Sequence, residues 1–499
     1  MKRFLLVFTV LLVPTAASAQ SSAAVGQAIG SITPDDVYRR IALIADDSML
    51  GRDTPSPGLE MTARYIADEF RRFGLEPGGN DGSYLQRYPL TEVQATLEVT
   101  VEGGSPLATG EDVVQVGGGP APHGVTGPTL LVAGSGELGD RAPIEGAMVL
   151  LAAEYDPDRR GLSEQSQRLL NTIRQRSPAA VFLLADYPER IWRFFARLQR
   201  PTQVVRGQSA EAPEGAPLLA VSPAAAVKLL AMVPSTAGEL ALRTIETLSL
   251  TVTATRETDL TSAPNVVGVL QGSDPLLKHE YIVFSAHMDH VGVRSGAAAG
   301  SDSIWNGADD DASGTIGVVE LAEAFATLEP RPKRSMIFLT VSGEEKGLWG
   351  SAYFAEHPSV PIEQLVADLN ADMIGRNWPD TIVVIGKEHS DLGTTMNRVN
   401  KEHPELDMTA IDDIWPDERF YYRSDHYNFA RRGVPVLFFF NGTHEDYHQP
   451  SDEVTKIDAE KTSRIVKLMF YLGLEVANAA QRPQWDPESY EQIVQRGTP

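Results

Sequence analysis

Between Tyr281 and Glu345 the chain reads YIVFSAHMDH, then NGADDDASG, then an apolar helical pattern, then RSMIFLTVSGEE. Short apolar runs of strand type end on side chains that bind metal. His287 and Asp289 follow the first run, Asp310 stands just ahead of the helix, and Glu344 and Glu345 follow the second run. Two later strand or loop ends add Asp372, in ADLNADMIG, and His448, in EDYHQPSDE. Imidazole nitrogen and carboxylate oxygen are donors that zinc accepts, and a catalytic zinc keeps one coordination position open. Five such donors are too many for one tetrahedral catalytic ion. They suit a pair sharing a bridging carboxylate, as in hydrolytic sites whose ions sit about 3.5–4 Å apart around a water. Glu344 beside Glu345 then divides the labour: one carboxylate serves the metal, its neighbour takes the proton from the water. Adjacent side chains of a strand point to opposite faces, so both reach one spot only at a strand-to-loop break.

Side chains so far apart in sequence meet naturally beyond the carboxyl ends of the strands in an open α/β sheet. Taken singly the pieces are ordinary, since acids ahead of a helix usually cap it and favour its N-terminus. Taken in order, AHMDH, NGADDDASG, SGEEKGLWGS, LNADMIG, YRSDHYNF and DYHQPSDE resemble the M28 family of metallopeptidases, the di-zinc aminopeptidase type, over about the last half of the chain. The resemblance implies two Zn2+ ions, with His287 and Asp372 on one, Glu345 and His448 on the other, and Asp310 bridging them. It implies Glu344 as general base and Asp289 as the acid that orients His287, as metal-bound imidazoles usually require. It places Tyr421 as a phenol that stabilises the tetrahedral intermediate. His290 and His426 are read as hydrogen-bonded neighbours, Asp309 and Asp311 as helix-start acids, and His444 as a candidate substrate contact. Trp305, Trp415 and Phe420 are candidates for a side-chain pocket, and Trp349 for the core.

The function this resemblance implies is zinc-dependent hydrolysis of the amino-terminal peptide bond. A carboxypeptidase or dipeptidase could use the same metals but needs a basic group for the substrate carboxylate, for which Arg376 and Arg423 are the candidates. A single-zinc glutaminyl cyclase has a similar fold, and the complete donor set, Asp310 and Glu345 included, weighs against it. A non-catalytic binding relative is disfavoured because no ligand is missing.

The elements that must carry these residues are strands alternating with helices over 256–482. This predicts an α/β domain: a mostly parallel mixed sheet with helices on both faces, zinc exopeptidase-like. Residues 31–110 read as a helical lead-in packing on that domain. Thr33-Pro34-Asp35-Asp36 starts one helix, and a second carries Met61, Tyr65, Ile66, Phe70 and Phe73 on a stripe stopped by Gly74. Residues 111–255 are rich in Gly and Pro, with short strands at Met148 to Leu151 and Val181 to Leu184. They resemble, more loosely, the protease-associated (PA) domain inserted in exported M28 enzymes, a smaller α/β unit. His123 there is read as surface. The tail, 483–499, is read as a strap or a disordered segment.

Residues 1–19 have the form of a signal peptide: Lys2 and Arg3, an apolar run from Phe4 to Val13, and Ala17-Ser18-Ala19 for cleavage. The run is shorter than the roughly 20 residues a membrane span needs. The expectation is export to a periplasm or beyond, with no membrane attachment of the mature form. The formal charge of −24 falls to −26 without Lys2 and Arg3. So acidic a chain has no general affinity for nucleic acid or anionic lipid; the expected partners are peptide substrates. With no cysteine, neither disulfides nor thiolate ligands enter.

Overall fold

The apolar runs that end on the candidate ligands are strands, and they lie side by side. We name β1 (Leu250–Leu270), β2 (Tyr281–His287), β3 (Ser335–Val341), β4 (Leu365–Asp372), β5 (Thr381–Ile385), β6 (Thr409–Ile411) and β7 (Val436–Phe440). Their order across the sheet is β1-β3-β2-β4-β7-β5-β6. The central pairs β3/β2, β2/β4 and β4/β7 are parallel. β1 joins β3 antiparallel through Val266–Leu270, and β5 joins β7 antiparallel. A mixed sheet with a parallel centre results, as expected. Register aligns its functional edge: His287 is level with Val341 on β3, and Asp372 with Phe440 on β7.

The computed structural model describes residues 21–497 apart from 160, 199–201, 208–213, 232–237 and 295–299, so the leader read at 1–19 lies outside the described residues. The chain divides into two compact units, Met1–Tyr88 with Ser262–Pro499, and Pro89–Thr261. The divisions fall at Tyr88 and Thr261, whereas the sequence pattern set them at 110 and 255.

Alternation along β2 and β3 loads both faces of the sheet. Val283, Ile337 and Leu339 join a cluster with Phe354 and Phe429. Phe284 and Phe338 stack on the opposite face at 5.5 Å. There they meet Phe70 of α1 (Pro57–Phe73) and Phe325 of α2 (Gly314–Thr327). Phe325 in turn stacks at 4.3 Å on Phe470 of α4 (Ala459–Asn478), while Phe354 belongs to α3 (Trp349–Glu356) on the other side.

Two helix readings need correcting. The buried stripe of α1 is Leu59, Thr62, Ala63, Ile66, Ala67 and Phe70. Met61 is 39% exposed, because it lies two residues, more than half a turn, from Leu59 on the buried face. The three-and-four spacing of Val318, Leu321, Ala322, Phe325 and Leu328 in the sequence predicts one buried face for α2, but nearly the whole helix is buried, Glu320 included. Glu320 is tolerated because Arg40, on the helix Pro34–Ile44, reaches it at 2.5 Å and also contacts Glu323. Burial pushes Glu320 up to about 7 against the pull of that guanidinium. The lead-in is thus clamped to α2 by a buried ion pair as well as by apolar packing.

The unit Pro89–Thr261 has its own six-stranded sheet, in the order Ala241–Thr244, Thr129–Ala133, Met148–Ala152, Ala180–Leu184, Leu218–Val221 and Val113–Gly117. Its central strands are parallel, and helices Glu164–Arg174 and Pro223–Leu230 start on the capping serines Ser163 and Ser222. His123 is exposed. The tail is a strap: Trp485 Nε1 donates to the Gly433 carbonyl at 2.9 Å, and Ile493 is buried. Among the described residues no helix is long and apolar enough to cross a membrane.

Removing one member of a buried ion pair strands the other charge, at a cost of about 3–5 kcal/mol. Arg40→Ala is therefore expected to lower the urea midpoint by that amount of stability with an unchanged slope. The double change Arg40→Met with Glu320→Leu should recover most of it.

Candidate metal centre

β2 ends on His287 and β4 on Asp372; Glu344 and Glu345 come after β3, Asp310 precedes α2, and His448 lies in the loop after β7. Asp310 sits between two sets of donors. Its Oδ1 is 3.4 Å from His287 Nε2, which is 3.5 Å from Asp372 Oδ1. Its Oδ2 is 3.1 Å from His448 Nε2, which is 3.1 Å from Glu345 Oε1. One carboxylate thus faces a His–Asp pair with one oxygen and a His–Glu pair with the other. The five residues read as metal ligands converge.

Backbone and side-chain hydrogen bonds fix each donor. The Asp310 amide donates to Asp452 Oδ2 at 3.1 Å, and the Asp309 amide donates to the same carboxylate. Asp309 accepts from the Gly375 amide at 2.6 Å and lies 3.1 Å from His444 Nε2. His444 is therefore a brace between the Asp triplet and the His448 loop. Asp311 accepts from the amides of Gly314, Met373 and His287, capping α2 and tying β2 to β4. Ser424 Oγ donates to Asp372 Oδ2 at 3.0 Å. Trp305 Nε1 donates to the His448 carbonyl at 3.0 Å. Both Met373, next to Asp372, and His448 itself have positive φ, at 52° and 53°. Such backbone costs about 1–3 kcal/mol per residue and collects at functional sites.

His287 Nδ1 faces the Asp289 carbonyl at 3.2 Å, which turns Nε2 to the metal side; the Asp289 carboxylate is farther, at 3.8 Å. That carboxylate accepts instead from Thr54 Oγ1 and the Glu344 amide, joining the His287 loop to the Glu344 turn. Glycine permits the turn. Gly343 has φ +73°, and a Cβ there would come within 2.7 Å of Tyr88 Oη and 3.0 Å of Trp349 Cβ. The chain breaks from β3 at this point, so Glu344 and Glu345 can both face the centre.

Under these loops lies Arg52, fully buried. Its guanidinium donates to the carbonyls of Met288, Ile44, Asn306 and Gly307 at 2.6–2.9 Å. Burial lowers it to about 10, against the pull of Asp310, Asp289 and Asp452, so it stays charged at neutral pH. The lead-in is thus part of the site's support.

The potential is strongly negative. Burial pulls His287 down, but Asp372, Glu344 and Asp311 hold it well above the ordinary histidine range. His448 is pushed up to about 10 in the same way by Asp310 and Glu345. Burial and neighbouring carboxylates push Glu344 well above the usual carboxylate range. Asp310 Oδ2, Glu345 Oε1 and His448 Nε2 are buried without a hydrogen bond. Converging, unpartnered donors in a negative field fit divalent cations.

A cleft opens on His287, Asp310, Glu344 and Asp372. Met373, Phe420, Phe438 and Phe440 give it an apolar lining as well, with Arg423, Ser424, Thr443 and Tyr447 beside them. Tyr421 is not on it. One helical turn, Phe420–Tyr422, points successive side chains apart, and the Tyr421 ring packs against His389 and His426. Tyr447 stands in the cleft instead, stacked on His448 at 4.0 Å. Burial and the carboxylates of Asp310, Glu345, Asp372 and Glu344 keep its phenol protonated. Its place beside His448 in DYHQ was the available signal. Trp305 and Trp415 do not line the cleft; Trp415 backs Phe420 and Phe440. His290 departs from its reading as a hydrogen-bonded neighbour. It is fully buried, neither ring nitrogen has a hydrogen bond, and Nδ1 lies 2.9 Å from Glu345 Oε1. His426 stacks on Phe438 at 4.4 Å.

Residues 265–473 match the model of Peptidase family M28. This stretch, less than half of the chain, is similar to M28 peptidase domains. The chain is similar to a probable zinc metalloprotease of Pyricularia oryzae, 28% identical over 261 residues, covering 43% of this chain and 50% of that protein. It is also similar to a probable leucine aminopeptidase of Arthroderma otae, 25% identical over 224 residues, covering 43% of this chain and 58% of that one. The chain spans about half the length of the curated relatives it matches. In fold it is similar to an aminopeptidase from Aneurinibacillus sp. strain AM-1, with a TM-score of 0.52 at 18% identity, covering 92% of this chain and 97% of that one.

If Asp310 serves both sides of the centre, Asp310→Asn should weaken both metal positions and Asp372→Asn only one. Metal analysis after dialysis, with near-UV circular dichroism as a check on folding, distinguishes the two outcomes.

Proposed function

We propose that the protein is an exported metallo-exopeptidase that releases the amino-terminal residue of peptides. The observation that carries this reading is the division of the Asp310 carboxylate between two donor sets at the mouth of a cleft. His287, Asp310, Asp372, Glu345 and His448 would hold divalent ions, with zinc the expected species, which would supply Lewis acidity to the scissile carbonyl and to an attacking water. Glu344 takes the proton from that water and returns it to the leaving amine, a role suited to a carboxylate whose affinity for protons burial has raised. Tyr447 donates its phenolic hydrogen to the developing oxyanion. The free α-amine of the substrate is attracted by the carboxylates on the cleft floor, and the Phe420, Phe438, Phe440 and Met373 wall favours an apolar side chain. The Gly- and Pro-rich pattern of residues 111–255 supports a PA-like insertion with a packing or a substrate-gating role.

A second reading has one observation in its favour. Arg423 lines the cleft, where it could hold a substrate carboxylate, although Glu418 lies 3.3 Å away and the guanidinium rests over Phe420. Arg376, the other candidate, is paired with Asp446 at 3.0 Å and is not on the cleft. The carboxypeptidase or dipeptidase reading therefore rests on Arg423.

A panel of amino-acid anilides, amino-blocked peptides and carboxyl-blocked peptides, assayed with and without chelator, separates the two. Cleavage confined to substrates with a free amine supports the aminopeptidase; cleavage that needs a free carboxylate and ignores amino-blocking transfers the assignment to Arg423. Glu344→Gln should leave metal content intact and lower kcat by about 10²–10⁴. Tyr447→Phe should lower kcat by about 10²–10³ with little change in KM, whereas Tyr421→Phe should leave kcat near wild type.

A further inference from the structure

The two sides of Asp310 are not alike. On the Oδ1 side stand His287 Nε2 and Asp372 Oδ1, and all three residues line the cleft. Asp311 is close to this group, but its two oxygens are occupied by the amides of Gly314, Met373 and His287. Three protein donors therefore face one position that opens on the cleft.

On the Oδ2 side a fourth residue joins Glu345 and His448. His290 Nδ1 is 2.9 Å from Glu345 Oε1 and 3.7 Å from Asp310 Oδ2. The four atoms Asp310 Oδ2, Glu345 Oε1, His448 Nε2 and His290 Nδ1 are all buried, and none has a hydrogen bond. They lie within 4.8 Å of one another. For bonds of zinc length to nitrogen and oxygen, the edges of a coordination tetrahedron are about 3.3 Å, inside the 2.9–3.7 Å range seen here. His290 is held in place from behind. Its amide donates to the Arg52 carbonyl at 3.2 Å, and a Cβ on Gly307 would come within 2.6 Å of the ring. A fully buried imidazole with neither nitrogen hydrogen-bonded is costly unless something at the site takes its lone pair.

We propose that His290 is a fourth protein donor, so that Asp310, Glu345, His448 and His290 form a closed four-coordinate metal position beside the open one of Asp310, His287 and Asp372. The inference rests on the two-metal reading above and makes the two metals unequal. Two imidazoles and two carboxylates suit zinc-like ions better than one imidazole and two carboxylates, and four-donor sites closed by protein are the structural type. The closed position fills first and exchanges slowly. The open position fills second, exchanges with the cleft and adjoins Glu344.

The test uses the full chain, stripped by chelator and titrated with Co2+ while visible absorption and heat are recorded. Four-coordinate cobalt lacks a centre of inversion and absorbs strongly, so the first equivalent should give intense bands and the second weaker ones. The two affinities should differ by about tenfold or more. Asp372→Asn should abolish the second step and spare the first. His290→Gln and His290→Ala should weaken the first step by more than about 100-fold and replace its intense bands with weak ones, leaving the second within about twofold. Two equal steps in the unmutated protein would overturn the proposal without any variant. So would a His290 variant, folded by near-UV circular dichroism, whose first-step bands are unchanged, because His290 would then act only through Glu345. Failure of the unmutated apoprotein to bind Co2+ at all would overturn the two-metal reading itself.

Discussion

Like charges crowded into a dry space set the terms for this molecule. Asp289, Asp310, Asp311, Glu344, Glu345 and Asp372 converge where burial has removed most of the water that would screen them, and burial with neighbouring carboxylates raises Asp289, Asp311 and Glu344 above the usual carboxylate range. Beneath the loops the fold supplies a fully buried permanent cation, Arg52, whose guanidinium makes its hydrogen bonds to carbonyls and so stays free of any single carboxylate partner. The remaining compensation has to come from outside the chain. High proton affinity on His287 and His448 expresses the same deficit in the language of titration.

Much of the surrounding architecture serves to hold carboxylates where they repel one another. Asp452 grips the backbone ahead of Asp310, Asp309 pairs with His444, and Asp311 stitches β2, β4 and α2 together. Acids adjacent in sequence thus do two different jobs: Asp310 offers itself to metals, while Asp309 and Asp311 hold the backbone. Positive φ at Met373 and His448 shows that the chain accepts unfavourable backbone conformations beside two of the donors, which is tolerable only where neighbouring hydrogen bonds leave no alternative.

The sheet, its parallel centre and the convergence of His287, Asp310, Glu345, Asp372 and His448 were legible because strand ends and apolar periodicity are local signals. What stayed hidden depended on contacts remote in sequence. Arg52 carries no local signal of its role, and only the fold shows it beneath two ligand loops 236 and 254 residues away. The burial of Glu320 required knowing that Arg40 would meet it. In the turn Phe420–Tyr422, a single residue decides which aromatic ring reaches the cleft, and the pattern FYY alone does not record that rotation. His290 was visible as a residue, but its lack of any hydrogen-bonding partner was not.

Arg52 also has a consequence for biosynthesis. A ribosome makes this guanidinium before the inserted unit and every candidate ligand after it, so the fixed positive charge waits, with only the Ile44 carbonyl of its four partners yet made, through the synthesis of Pro89–Thr261. The acidic loops can close around it only when the discontinuous unit is joined. A fragment beginning at Ser262 would keep all the donors yet lack their internal counter-charge, and would have to gather its strands around unrelieved repulsion.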